Sequence, residues 1–222
     1  IDPVVFARRL GLSEDELRAC GLVGIDIPIG KLTRDALRIR CDKAVSKDEI
    51  IGALLSIFAW GGMSHGHPSR IWHSPSTMSN LVGIINELRR LGKHISPLDG
   101  FRLFAEARSH GLLPFLGLSF YTKILFFFFP DHLGNEAPIL DRFVARSIDT
   151  LFDNCPIPLW GGVPAESDQP AIVTMMYDRY LSCLDELRNQ MQIRTERIWS
   201  RSQIEWLLFR PGPWRDSVSE MY

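Results

Sequence analysis

Apolar residues recur at helical spacing along most of the chain, and serines and glycines mark the ends of the periodic stretches. The stretches 13–21 (SEDELRACG) and 46–62 (SKDEIIGALLSIFAWGG) each open with a serine followed three residues later by glutamate, the pattern of a capping box. Further helices are predicted over 76–92, 97–110, 119–129, 168–192 and 200–210. Alternating patterns typical of β-strands are scarce, so the sequence predicts an all-α protein.

Two stretches lack a periodic pattern. The first, WGGMSHGHPSRIWHSPS over 60–76, is rich in glycine, histidine, serine and tryptophan. The second, LFDNCPIPLWGGVPAESDQP over 151–170, contains four prolines. Irregular segments of this length in a compact domain are often functional, and a plain surface loop is an equal interpretation of each.

Length and composition indicate an ordinary soluble chain. Its 222 residues are 45% hydrophobic and 23% charged, and we expect one domain over 1–222. The apolar run 124–129 is too short to span a bilayer, and the first ten residues lack the features of a signal peptide. We therefore expect a cytoplasmic protein without a membrane anchor, and we expect it to be monomeric.

The cysteine spacing and the net charge argue against several kinds of metal site and against a protein with a broad positive surface. The four cysteines lie far apart without a C-x-x-C pair, which favours free thiols over a zinc ribbon or a cysteine-bound iron–sulfur cluster. The formal net charge of −1 provides no overall positive field of the kind that many nucleic-acid-binding proteins carry. Contacts with nucleic acid are therefore expected to come from a few local groups.

A lysine stands inside the most apolar predicted helix. Lys123 precedes Ile124, Leu125 and four consecutive phenylalanines at 126–129. Lysine is rarely buried unless its charge is compensated. Either this side chain extends to the surface, as an isolated lysine usually does, or its amine has a chemical function.

The segment before Lys123 predicts an anion site. Helices 97–110 and 119–129 are joined by a short connection with a proline and a glycine, so they form a helical hairpin. The N-terminus of the second helix presents backbone N–H groups, which predicts a phosphate contact at Gly117, Leu118 and Ser119.

The segment after Lys123 supplies a carboxylate. Asp141 is placed to cap a helix that runs through Val144 and Ile148. A carboxylate at an N-cap is kept ionised and fixed in direction by backbone N–H groups. For Asp141 alone a purely structural cap is the usual interpretation, and its spacing from Lys123 is what favours a chemical one.

The combination of hairpin, lysine and capping aspartate resembles the helix-hairpin-helix DNA glycosylases, in particular bacterial proteins described as having the 8-oxoguanine DNA glycosylase (OGG) fold. The stretch GLSFYTKILFFF…PILDRFVARSI is similar to the part of that family that carries its nucleophile and its aspartate. The resemblance is sharpest over 112–148. It implies an OGG-like architecture of two helical lobes around a base-binding groove, with the helix-hairpin-helix element at 97–129.

In that family the lysine attacks C1′ of the nucleotide and the aspartate assists, so the resemblance assigns these catalytic roles to Lys123 and Asp141. The chemistry agrees, because a fixed carboxylate stabilises positive charge on the sugar and apolar surroundings favour the neutral amine. The resemblance implies double-stranded DNA with a modified base as the partner, and no cofactor apart from a monovalent cation at the hairpin. The hairpin departs from the family's frequent G-x-G turn, because Gly117 is its single glycine in Leu116-Gly117-Leu118-Ser119.

Residues of the segment 60–76 are candidates for a base pocket or for a wedge that enters the duplex. They are Trp60, Met63, His65, His67, Arg70 and Trp72. Core packing is at least as good an interpretation of the two tryptophans. The histidines at 65, 67 and 73 have the spacing H-x-H-x5-H, but no acidic or cysteine partner is near in sequence, so we predict no metal site.

Two arginines follow the aspartate on one face of its helix. Arg142 and Arg146 are four residues apart, and arginine suits bidentate contacts with phosphate. They are candidates for DNA binding, with a solvated helix face as the equal alternative.

The sequence therefore predicts a DNA glycosylase that flips a modified base out of the duplex and cleaves its N-glycosidic bond, with AP lyase as an associated activity. The resemblance offers two substrates: glucosylated hydroxymethylcytosine in anti-phage defence, or 8-oxoguanine in host base-excision repair. The small and polar residues at 61–70 favour the first, because a glucosylated base needs room and hydrogen-bond donors.

Two other classes of protein remain for comparison. A non-catalytic helix-hairpin-helix DNA-binding module is expected to lack the lysine or the aspartate, and both are present here. A Schiff-base enzyme that acts on small carbonyl compounds usually has an α/β barrel, for which the strands are missing.

Overall fold

The computed structural model describes residues 2–23, 32–62, 66–130, 135–152, 157, 159–160, 163–164 and 167–209. For 66–68 and for the four strand residues it describes the backbone alone. The all-α class predicted from the sequence is confirmed in this part of the chain.

Eleven α-helices lie within the described residues. They are α1 (Pro3–Arg9), α2 (Glu14–Ala19), α3 (Arg34–Lys43), α4 (Lys47–Trp60), α5 (Gly66–Trp72), α6 (Pro75–Leu91), α7 (Pro97–Ser109), α8 (Leu118–Phe128), α9 (Arg142–Leu151), α10 (Pro170–Thr195) and α11 (Arg201–Phe209). A short 3-10 turn, Gly92–His94, follows α6, and β1 (Leu159–Trp160) pairs antiparallel with β2 (Val163–Pro164).

Helix starts follow the local chemistry expected from the sequence. Ser13 and Ser46 form the predicted capping boxes with Glu16 and Glu49, in which each side chain bonds the backbone of the other residue. Ser96 accepts a hydrogen bond from a backbone N–H of α7, as predicted for its N-cap. The predicted helix bounds agree with the observed ones to within three residues.

Two apolar helices form the centre of the fold. In α4 the ten residues 50–59 are all buried, and in α8 residues 121–128 are all buried. A helix that is apolar all round has to be covered by others. Accordingly α4 and α8 contact each other, α4 also contacts α1, α2, α3 and α6, and α8 also contacts α3, α6 and α7.

Helices α10, α11 and α9 pack one on the next, starting from α7, and α5 packs on α6. The long helix α10 contacts α7 and α11, and α11 contacts α9. Asp141 is the N-cap of α9, and Lys123 lies in α8. The packing of α9, α10 and α11 against α7 and α8 therefore determines how the two candidate residues meet.

The segment 60–76, predicted to be irregular, contains α5. That prediction is wrong for Gly66–Trp72, where a helix begins despite a glycine and a proline in its first turn. Proline is tolerated there because the first N–H groups of a helix have no partner within the helix. Glycine and proline nevertheless have the lowest helix propensities, so a prediction from sequence misses this helix. Most of the second irregular segment, 151–170, lies outside the described residues.

No helix in the described part of the chain is long and apolar enough to cross a membrane. The cysteines that the structure describes, Cys20, Cys41 and Cys183, are buried, and Cys155 lies outside the described residues.

Candidate active site

Lys123 is buried rather than extended to the surface. Its side chain is 7% exposed, and its Nζ donates to Ser119 Oγ at 2.8 Å, within the first turn of α8. Nζ also lies 5.1 Å from the centre of the Phe120 ring. The amine therefore points back toward the hairpin, and the alternative of a surface lysine is wrong.

Asp141 faces Lys123 from the N-terminus of α9. Its Oδ1 accepts hydrogen bonds from the Phe143 and Val144 N–H groups at 3.0 and 3.1 Å, which is the predicted N-cap. Its Oδ2 lies 3.7 Å from Lys123 Nζ, and its side chain is 8% exposed. This distance is too long for a hydrogen bond, so the two charges are close without being joined.

Polar side chains from two helices bind the backbone of the segment that leads into Asp141. Tyr177 and Tyr180 of α10 are buried, and their hydroxyls donate to the carbonyls of Pro138 and Ile139 at 2.8 and 2.7 Å. Thr122, next to the lysine, accepts from the Leu140 N–H at 3.3 Å. The aspartate is thereby fixed to the same helix that carries the lysine.

Burial lowers the pKa of the Lys123 amine. The nearby carboxylates of Asp141 and Glu205 act in the opposite direction, because they stabilise the ammonium form. A lowered pKa increases the fraction of neutral amine at neutral pH, and only the neutral amine is a nucleophile.

A second buried ion pair lies close to the first, and sequence reasoning missed it. Glu205 of α11 is completely buried, and its carboxylate binds Arg34 of α3 at 2.6 and 2.8 Å in the bidentate geometry. Burial raises the pKa of Glu205, and the guanidinium opposes this. Both groups act electrostatically on Lys123.

Aromatic rings surround the Arg34 guanidinium. Its central carbon lies 4.8, 5.0 and 5.6 Å from the rings of Trp206, Phe126 and Trp60. Of these, Phe126 belongs to α8, three residues beyond the lysine. Arg34 is the first residue of α3, and nothing in the sequence around it distinguishes it from the other arginines of the chain.

Gly61 lies against the stem of the lysine. A Cβ added at Gly61 would lie 3.0 Å from Lys123 Cδ and 3.2 Å from the Phe120 ring. The segment 60–76 therefore begins beside the candidate nucleophile. Its first residue, Trp60, is half-buried and packs edge-on against Phe127 at 5.2 Å.

The other predicted residues are distributed over three places. Gly117 caps α8 without a side-chain cap, Leu118 is buried, and Ser119 is the hydrogen-bond partner of the amine. Trp72 is half-buried and packs against the core, whereas Arg70 is exposed. Met63, His65 and the side chain of His67 lie outside the described residues.

The arginines after the aspartate lie at the start of α9. Arg142 is exposed and lies 4.7 Å from the Phe143 ring, and Arg146 is half-buried. Their proposed contacts with DNA stay predictions.

Among the residues that the structure describes, no three histidine, cysteine, aspartate or glutamate side chains are grouped closely enough to hold a metal ion. Because His65 and the His67 side chain are outside that part, the prediction of no metal site stays a prediction.

Comparison with known proteins identifies a family whose model covers most of the chain. The model of the family described as "Putative 8-oxoguanine DNA glycosylase OGG-like protein" matches residues 7–209, which include both ion pairs. Searches against curated proteins and against solved structures returned no match.

Proposed function

We propose that this chain, which belongs to the 8-oxoguanine DNA glycosylase OGG-like family, excises a modified base from double-stranded DNA by cleaving its N-glycosidic bond. The observation that carries the proposal is the buried approach of Lys123 Nζ to Asp141 Oδ2 at 3.7 Å. Burial of an amine and a carboxylate costs free energy, so a buried amine beside a carboxylate that is fixed by a helix N-terminus favours a functional site over a solvated helix face.

We assign Lys123 the role of nucleophile. Its neutral amine attacks C1′, the bond from C1′ to the base nitrogen breaks, and the electron pair leaves with the base, which then takes up a proton. The ammonium nitrogen of the new C1′–N bond loses a proton, and its lone pair then forms the C=N bond of a Schiff base as the C1′–O4′ bond breaks and O4′ takes up a proton. Hydrolysis of this imine returns the free lysine and an abasic site, and β-elimination from it is the AP lyase alternative.

We assign Asp141 the role of stabilising the sugar. Its Oδ1 is held by two backbone N–H groups, so Oδ2 has a defined direction before substrate arrives. Preorganised charge of this kind stabilises an oxocarbenium-like transition state without reorganisation during the reaction. Every step moves only protons and electron pairs, and we propose that no redox cofactor takes part.

For the substrate we propose a bulky hypermodified cytosine, of the glucosylated hydroxymethyl type, which gives the protein a role in anti-phage defence. Gly61 contacts the lysine stem, so the segment 61–70 with its glycines, serines and histidines starts at the nucleophile. Small residues leave space for a sugar substituent, and the polar ones supply hydrogen-bond donors.

The second candidate substrate is 8-oxoguanine, which the description of the family favours. A flat base of this kind requires an aromatic surface for stacking. Trp60, half-buried at the start of the same segment, is one aromatic side chain near the lysine, and half-buried Phe120, whose ring centre lies 5.1 Å from Lys123 Nζ, is another.

The test is digestion of three DNAs, followed by mass spectrometry of released bases. They are phage DNA with glucosylated hydroxymethylcytosine, the same DNA without glucosylation, and DNA containing 8-oxoguanine. Release from the first alone supports the proposal, and release of 8-oxoguanine alone supports the second candidate. If none of the three yields more free base than the Asp141→Asn variant does, neither substrate is correct.

A further inference from the structure

In the turn between α7 and α8, Phe115 exposes its aromatic ring to solvent. Its backbone has a conformation that is unfavourable for a residue with a bulky side chain. Phe115 has a φ of 66°, in the left-handed region that glycine adopts readily and bulky residues rarely do. The residue is 47% exposed, so burial in the core does not compensate for this conformation. Residues kept in such conformations are concentrated at ligand-binding sites.

The turn holds Phe115 firmly. Leu116, the next residue, is fully buried, and its carbonyl accepts a hydrogen bond from the Arg108 guanidinium at 2.6 Å. On the other side, Asn80 Nδ2 of α6 donates to the Leu112 carbonyl at 2.9 Å. The exposed ring is therefore displayed by a fixed backbone.

A positive charge accompanies the ring. The guanidinium carbon of Arg70, an exposed residue of α5, lies 5.4 Å from the centre of the Phe115 ring. This contact brings the segment 60–76 against the hairpin turn. Arginine suits such a position because it stacks on aromatic faces and its planar fork of N–H donors matches a phosphate.

Ring and charge lie near the candidate nucleophile. Lys123 Nζ reaches back to Ser119 Oγ at 2.8 Å. Ser119 follows Phe115 by four residues, so their Cα atoms are at most about 14 Å apart. Nucleotides along one strand rise by about 3.4 Å each, so a distance of about 14 Å corresponds to about four nucleotides, which is within the length of duplex that a bound glycosylase site would contact.

We propose that Phe115 and Arg70 form a DNA contact beside the candidate active site, in which the ring packs against a nucleotide near the flipped one and the guanidinium binds its phosphate. The inference rests on the proposed glycosylase function. Every nucleotide offers an apolar base or sugar face to a ring and a phosphate to an arginine, whatever its sequence. On this proposal, the unfavourable backbone conformation of Phe115 is offset by the contact that its ring makes with DNA.

The test separates a role in DNA binding from a role in the fold. Binding to a duplex with a stable abasic-site analogue is measured by fluorescence anisotropy, and thermal unfolding is measured on the same proteins. Phe115→Gly should raise the melting temperature, because glycine adopts this φ freely, and should weaken duplex binding by about tenfold. Phe115→Trp keeps an aromatic ring and should bind as the wild type does.

Two further variants serve as matched controls. Glu196, at the C-terminal end of α10, also has a left-handed φ, of 55°. Glu196→Gly should raise the melting temperature without weakening DNA binding. Arg70→Gln should reduce the slope of log affinity against log salt by about 0.9, the contribution of one phosphate.

The outcomes that overturn the inference are distinct from those that overturn the proposed function. A Phe115→Gly protein that binds the duplex as tightly as the wild type overturns the inference, whatever its melting temperature. Phe115→Asn, which also tolerates this φ, gives the same comparison if the glycine variant does not fold. Base release is measured in parallel: a wild type that neither releases a base nor binds the duplex overturns both.

Discussion

Two buried ion pairs lie near each other in this protein, and their geometry differs. Arg34 and Glu205 join at 2.6 and 2.8 Å through a bidentate contact. Lys123 and Asp141 face each other at 3.7 Å, and the amine instead donates to Ser119. All four side chains are at most 16% exposed, so differences in solvation do not account for the contrast.

The difference indicates what each pair can do. A guanidinium is not deprotonated in proteins, and both carboxylate oxygens of Glu205 accept hydrogen bonds from Arg34, so the first pair connects α3 to α11. Burial lowers the pKa of the Lys123 amine, and at 3.7 Å the amine and the Asp141 carboxylate are not hydrogen-bonded to each other, so each can interact with a third group. The tight pair is therefore structural, and the loose pair has the properties that chemistry needs.

The largest expected effect is the loss of covalent trapping. Borohydride should join the wild type to DNA that bears an abasic site, because burial lowers the pKa of the Lys123 amine and the neutral form of an amine condenses with the sugar aldehyde. Lys123→Gln should remove the trapped band on a denaturing gel completely. Lys93→Gln, at an exposed lysine, is the control and should trap normally.

The excision assay of the same variant distinguishes two mechanisms. If Lys123 is the nucleophile, base release stops together with trapping. Partial base release by Lys123→Gln means instead that Asp141 activates a water, and the loose pair is then a lyase site only. Unchanged trapping by Lys123→Gln would remove the basis of the contrast between the pairs.

The tight pair should determine stability. Glu205→Gln leaves the Arg34 charge buried without its partner, which should lower the free energy of unfolding by about 3–5 kcal/mol. The double variant Arg34→Met with Glu205→Leu removes both charges and should recover most of this loss. Urea unfolding measures both, and equal losses in the single and double variants would contradict a structural pair.

The loose pair should determine activity with little effect on stability. Asp141→Asn keeps a residue that caps α9 but removes the negative charge beneath the sugar. We expect base release to fall by about 10²–10³-fold, or about 3–4 kcal/mol of transition-state stabilisation. Asp149→Asn, on the exposed face of the same helix, is the control for charge. Wild-type turnover by Asp141→Asn would contradict the proposed role.

Each member of the loose pair lies in a local pattern that the sequence shows, and the pairing of the two was implied by the resemblance to the OGG-fold glycosylases. An apolar run around Lys123 and a cap at Asp141 are both visible in short windows of sequence, and the hairpin between α7 and α8 follows from capping and turn residues. The helices that carry them agree with the structure to within three residues. These residues are constrained by their own neighbours in sequence.

The tight pair was not open to prediction because it depends on tertiary packing. Arg34 and Glu205 are 171 residues apart, and each stands in a helix with an ordinary mixture of charged and apolar residues. In α3 the buried residues are Leu37 and Cys41 alone, so its apolar stripe is too narrow to mark the helix. Nothing local shows that one of many arginines is enclosed by three aromatic rings.

The pH dependence of trapping should sharpen the contrast. Because burial lowers the pKa of Lys123 below its usual 10.5, the neutral fraction, and with it the trapping rate, should rise with pH with a midpoint below that value. Asp141 raises this pKa, so the midpoint should move to lower pH in Asp141→Asn. A midpoint at or above 10.5 would show that the amine behaves as an exposed lysine does.

The smallest effect concerns the position of the lysine. In Gly61→Ala the new methyl group would lie 3.0 Å from Lys123 Cδ and 3.1 Å from the Ile57 carbonyl, so the flexible stem has to shift by a few tenths of an ångström. Misplacement by 1 Å costs on the order of 10²-fold in rate, so we expect a loss of about tenfold or less in base release. Gly83→Ala in α6, where the methyl group meets nothing, is the control and should keep full activity with slightly higher stability. A Gly61→Ala protein as active as Gly83→Ala would mean that the loose pair tolerates displacement, and that its geometry matters less than its charge.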